Sequence, residues 1–177
     1  MNITVYLGAC EGCDPQLKRA VRELGTWIGT SGNSLVYGGS KTGLMGELAL
    51  AALEAGAEVT GVEPQFFVDS VLQLEGLTRL IVTPDIAERK AKMIELGDAF
   101  VAFPGGTGTL EEISQIMSII GLGQLDAPCV FYNLNGYYNP MAEQLDRMLA
   151  CDLTSPERLQ GISFVRNLDE LVACLQA

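Results

Sequence analysis

The chain contains no histidine. Its absence removes the commonest general base near neutral pH, the usual zinc ligand and every Ser-His or Cys-His nucleophile pair. Catalysis, if present, falls to carboxylate, Arg, Lys, Tyr, Cys or backbone groups. Positive charge is also scarce: 11 Lys and Arg stand against 22 Asp and Glu, a net charge of −11. That balance excludes nucleic acid and anionic membrane as general partners, because both are held by a basic surface. A small phosphorylated ligand needs only a local site. No apolar run is long enough to span a bilayer, and the start, Met1-Asn-Ile-Thr-Val-Tyr-Leu7, lacks the basic region and extended apolar core of a signal peptide. A cytoplasmic location is expected. The five cysteines, Cys10, Cys13, Cys129, Cys151 and Cys174, are odd in number and scattered, unlike a secreted disulfide framework. Cys10 and Cys13 form a Cys-x-x-Cys with neither a second pair nor a histidine, so no metal site and no cofactor is expected.

What is present suits one compact domain spanning residues 1–177, since 48% of the residues are hydrophobic and only 19% charged. Apolar strands are expected at 3–7, 34–37, 57–62, 79–82, 98–103, 128–132 and 162–165. Helical periodicity separates them, first with Leu17, Val21, Leu24 and Ile28 on one face behind an Asp14-Pro15 cap. Pro64 to Leu77 shows no clear period and reads as a cover over a site or a short helix. Such alternation predicts an α/β fold: a parallel sheet with right-handed crossovers and helices on both faces. Ligands bind such sheets beyond the carboxyl ends of the strands. Three glycine-containing loops leave those ends, at Gly8 to Gly12, Gly38 to Gly46 and Gly105 to Gly108, and should converge on one crevice.

The strongest motif is Pro104-Gly-Gly-Thr-Gly-Thr-Leu-Glu-Glu112, between an apolar strand and a long helix. Its glycines let a ligand approach the backbone, its threonines supply hydroxyls, and the new helix offers unpaired N–H groups at the positive end of its dipole. A phosphate fits there. Glu111 and Glu112 are expected in the first helical turn, and only one can face the loop because adjacent helical residues point about 100° apart. The dinucleotide fingerprint fails, since Glu111 takes the place of its third glycine, and the Walker pattern fails where Leu44 replaces the required lysine. Arg89 and Lys90 begin a helix, where cations oppose the dipole, a placement that favours function over surface solvation. Trp27, Tyr37, Tyr137 and Tyr138 read as core or rim residues.

Together, Pro104 to Glu112, the preceding Glu88-Arg-Lys-Ala91, the loop Tyr37-Gly-Gly-Ser-Lys-Thr-Gly-Leu-Met-Gly46 and Gly61-Val-Glu-Pro64 resemble the Lonely Guy family of cytokinin riboside 5′-monophosphate phosphoribohydrolases. The resemblance implies a single Rossmann-like, doubly wound parallel sheet, usually dimeric, that hydrolyses the N-glycosidic bond of a nucleoside 5′-monophosphate. It also implies Arg89 and Glu112 as the catalytic pair. The expected substrate and phosphate contacts are Gly8, Gly38, Gly39, Gly43, Met45, Lys90, Gly105, Gly106, Thr107, Gly108, Thr109, Glu111 and Ser118. The chain departs from the family pattern at Ala9-Cys10, Ser40, Val71, Ile86-Ala87 and Gln124-Leu-Asp-Ala-Pro128, which places the differences at the base pocket. A carrier that binds a nucleotide or a phosphorylated pterin without turnover is the alternative.

Overall fold

In the computed structural model, which describes residues 1–176, the strands are β1 (Asn2–Tyr6), β2 (Ser34–Tyr37), β3 (Val59–Pro64), β4 (Arg79–Thr83), β5 (Ala99–Ala102), β6 (Cys129–Tyr132) and β7 (Ile162–Val165). Between and after them lie α1 (Pro15–Thr30), α2 (Gly43–Glu54), α3 (Gln65–Asp69), α4 (Ile86–Leu96), α5 (Thr107–Gly121), α6 (Asn139–Ala150) and α7 (Leu168–Leu175). All seven strands pair in parallel in the order β4-β3-β2-β1-β5-β6-β7. This is the expected α/β architecture.

The central strands are apolar almost throughout because both of their faces are covered. On one face Ile3, Val5, Leu35 and Val101 pack with Val21, Leu24 and Ile28 of α1, Leu48 of α2 and Leu171 of α7. On the other, Tyr6, Val36, Phe100 and Phe131 meet Met93 of α4 and Ile113 and Ile116 of α5. Leu24 and Ile28 are fully buried, each contributing about 1.5–3 kcal/mol relative to exposure. The Asp14 cap is realised: its carboxylate accepts from the Gln16 N–H at 2.8 Å.

The strand order creates the binding position. From β1 the chain steps outward through β2 and β3 to β4, and α4 then carries it back to β5 on the other side of β1. Connections therefore leave β1 and β5 in opposite directions, and a crevice opens beyond their carboxyl ends. The two loops leave side by side, with the Gly8 N–H donating to the Pro104 carbonyl at 3.4 Å.

One difference from the sequence expectations and one expectation that is met bear on the site. Helix α2 starts at Gly43, inside the loop expected to run to Gly46. The unperiodic segment forms α3 and then a strap, in which the Lys41 N–H donates to Leu72 O at 2.8 Å and the Leu74 N–H to Gly39 O at 2.9 Å. It thus covers the second glycine loop. Among the described residues no helix is long and apolar enough to cross a membrane.

Candidate active site

The first glycine loop and the start of α5 make an anion cradle. Gly106 is the helix N-cap and makes no side-chain cap, so the first-turn N–H groups of Thr107, Gly108 and Thr109 remain for a ligand. A Cβ on Gly105 would press on the Thr109 side chain and the Gly8 nitrogen, whereas on Gly106 or Gly108 it would meet nothing within 4 Å. Packing thus demands glycine at 105, and at 108 the missing side chain leaves room for a ligand. Gly108→Ala is accordingly expected to gain about 1 kcal/mol of helix stability while weakening AMP binding about tenfold or more. Thermal unfolding and titration calorimetry read the two effects separately; unchanged AMP affinity would remove Gly108 from the cradle.

Helix α5 begins early enough to correct one expectation. Because Thr107 is its first residue, Glu111 and Glu112 stand in the second turn, where they do not cap the helix. They diverge as helical geometry requires. Glu111 is exposed and pairs with Lys90, whereas Glu112 turns inward and pairs with Arg89 at 2.6 Å. Arg89 is free to point inward because Asp85 caps α4, its carboxylate accepting from the Glu88 N–H at 2.8 Å. The Arg89 Nε donates to the Val62 carbonyl at 2.9 Å and Nη1 to Glu112 Oε1, which fixes the guanidinium in one plane. Gly38 makes room for it, since a Cβ there would strike Nη2. Only 9% of Arg89 and 7% of Glu112 is exposed. Burial pushes the Glu112 carboxyl above its ordinary range, with Arg89 pulling the other way.

These groups line a crevice of about 970 Å³. Of the residues expected at the site, Gly8, Gly38, Met45, Arg89, Gly105, Gly106, Thr107, Gly108, Thr109, Glu111 and Glu112 line it. Four expected residues do not line it. Gly39 lies behind it against Glu63, Gly43 packs on the Ala9 backbone, Lys90 sits beside Glu111, and the exposed Ser118 donates to the Ser114 carbonyl at 2.9 Å.

Other residues line the crevice without having been assigned to substrate contact. Tyr137, read from the sequence as core or rim, borders the crevice and donates its hydroxyl to the Gly105 carbonyl at 2.5 Å, while Tyr138 braces Phe103 O at 2.9 Å. Glu63, Phe67, Leu72 and Ile86, reached from β3, the following segment and the start of α4, line it together with Leu44 and Met45. Ile86 was among the departures placed at the base pocket, Phe67 and Leu72 belong to the segment read as a cover, and Glu63 is an acid inside an otherwise apolar strand. The crevice therefore runs from an anion cradle, past a buried carboxylate with its guanidinium, to a largely apolar end. Cys10 borders it, and Cys10 and Cys13 are exposed free thiols.

A family profile described as "Possible lysine decarboxylase" matches residues 45–175. A cytokinin riboside 5′-monophosphate phosphoribohydrolase of Rhodococcoides fascians is 36% identical over 177 residues, covering 99% of this chain and 89% of its own. One from Arabidopsis thaliana is 34% identical over 175 residues, covering 99% of this chain and 82% of its own. Among solved structures, the Moco carrier protein of Chlamydomonas reinhardtii has a TM-score of 0.73 at 22% identity, covering 99% of this chain and 94% of that one. The molybdenum cofactor binding protein of Rippkaea orientalis has a TM-score of 0.71 at 18% identity, with the same coverage of 99% and 94%. At such identities the two structures share the fold alone. The profile and the full-length relatives show that this chain belongs to the Lonely Guy family.

Proposed function

We propose that the protein hydrolyses the N-glycosidic bond of a nucleoside 5′-monophosphate, AMP or an N6-substituted relative, to free base and ribose 5-phosphate. The observation that carries this reading is the buried Arg89–Glu112 pair beside the anion cradle. The 5′-phosphate sits on the N-terminus of α5, which brings the ribose over Glu112. Breaking the bond from C1′ to nitrogen builds oxocarbenium character on the ribose. The Glu112 carboxylate stabilises that charge and positions the attacking water, as carboxylates do for glycosides. Arg89 holds Glu112 in place, and the apolar end of the crevice takes the base. The names of the full-length relatives support the same chemistry.

A carrier needs the cradle but not a desolvated ion pair, whose burial costs several kcal/mol per ion before the pairing offsets it. The whole chain, built on one continuous sheet, acts in this reading as a single cytoplasmic domain and assembles as a homodimer; sedimentation tests the assembly.

Incubation with AMP and with isopentenyladenosine monophosphate, followed by chromatography, should show free base from at least one of them. Adenosine, which lacks the phosphate, should react with a kcat/KM lower by about 10³-fold or more, because binding energy at the cradle helps hold the reacting carbon in place. Folded protein that binds both nucleotides and releases no base would overturn the hydrolase in favour of a carrier.

A further inference from the structure

Glu63 stands at the carboxyl end of β3 with 1% of its surface exposed, and among the described residues neither carboxyl oxygen has a hydrogen-bond partner. Burying such a group is unfavourable, and native proteins rarely leave one unsatisfied without a functional reason. None of the described residues bonds to it. Arg89 already uses Nε on Val62 O and Nη1 on Glu112. The neighbouring Tyr37 hydroxyl is itself buried and unpartnered. Behind the side chain, Gly39 packs so closely that a Cβ there would overlap Glu63 Cγ, and the strap at 72–74 holds Gly39 in place. In front lies the crevice, which Glu63 lines.

The position relative to Arg89 sets what Glu63 can meet. The guanidinium is anchored at one end to Val62, the residue before Glu63, and at the other to Glu112. A nucleotide with its phosphate on α5 and C1′ at Glu112 extends its base across Arg89 toward Glu63. Burial raises the affinity of Glu63 for a proton, with Arg89 opposing. Protonated, the carboxyl offers one donor and one acceptor side by side. Adenine presents the complement, an N6–H donor beside the N7 acceptor, and a single N6 substituent turned toward N1 leaves that edge intact. A 6-oxopurine presents two acceptors, O6 and N7.

We propose that Glu63 is the specificity-determining residue for the base, reading the N6–H and N7 edge of a 6-aminopurine and rejecting 6-oxopurines. Its effect on turnover rests on the hydrolase reading above; its effect on binding does not.

The test compares AMP, IMP and N6,N6-dimethyl-AMP, the last having no N6–H. Binding is measured by calorimetry in the Glu112→Gln background, and kcat/KM in the otherwise native protein. AMP should be favoured over both others by about 10- to 100-fold, as expected when a buried polar group is left unpaired. Glu63→Gln keeps a donor beside an acceptor and should keep the preference. Glu63→Leu should bring the three ligands within about threefold of one another, a change that a merely structural role would not produce. Glu63→Leu should also raise the melting temperature of the ligand-free protein, because an unpartnered polar group leaves the interior. Should Glu63→Leu fail to fold, Glu63→Met makes the same comparison. An AMP to IMP ratio that is close to one in the native protein, or that survives in Glu63→Leu, overturns the assignment. Loss of hydrolysis for every nucleotide, with the binding ratios as expected, would refute the hydrolase and leave Glu63 as the reader of the base.

Discussion

Glu112→Gln will lower kcat for base release from AMP by about 10³-fold or more while AMP still binds, since the substitution removes a charge that acts on the transition state. The amide keeps nearly the same shape and can still accept from Arg89 Nη1, so the guanidinium stays in place and the cradle is untouched. What disappears is the negative charge facing the developing oxocarbenium ion. Circular dichroism and AMP calorimetry establish folding and binding, and single-turnover chromatography establishes the chemical loss. Activity within tenfold of the native protein would sink the role given to Glu112. A pH profile supplies the second check. The ionised form is the working form, and burial raises the Glu112 pKa from its ordinary value of 4.5. The acid limb of kcat/KM should therefore fall away above that value, and activity should be lost as pH drops through the raised pKa.

The pairing of Arg89 with Glu112 was implied by the family resemblance, whereas periodicity alone left Glu111 and Glu112 equivalent. Helical geometry makes them diverge, but which of them turns inward depends on where α4 presents Arg89 and Lys90, a tertiary fact. The sheet was legible for a simpler reason: β5 and β6 are short apolar runs whose burial on both faces leaves no polar interruption, and β1 alternates as a strand should. The rest of the lining was legible only in part, as the cover at 64–77 and the departure at Ile86. Glu63 reaches the crevice only because β3 lies two places from β1 in the sheet, and Tyr137 only because the turn after β6 folds back over Gly105. The missing period at 64–77 pointed to a cover, but that it straps Gly39, about thirty residues away, had no local signature. Ser118, expected at the site by resemblance, lies further along α5 and faces outward.

Arg89→Leu should produce the largest loss of stability of any single substitution at the site, because it leaves the Glu112 carboxylate buried without its cation. Breaking a buried pair from one side costs about 3–5 kcal/mol, which for a chain of this size lowers the melting temperature by about 6–20 °C. The loss depends on pH in a defined direction. Without Arg89, the Glu112 pKa rises further above 4.5, so folding takes up a proton that the unfolded chain has released. The penalty is smallest below 4.5, where the carboxyl is neutral in both states, and grows as pH rises toward the folded-state pKa. Arg89→Lys restores the charge but not the fork that holds Val62 O and Glu112 together, so stability should recover in part and kcat should remain at least about tenfold low. The double variant Arg89→Leu with Glu112→Leu separates structure from chemistry. Replacing both partners by apolar groups should return most of the lost stability, since neither charge then needs compensation. Base release should stay absent. Additive destabilisation in the double variant would show that Arg89 and Glu112 are not an energetic unit, and restored activity would show that catalysis lies elsewhere in the crevice.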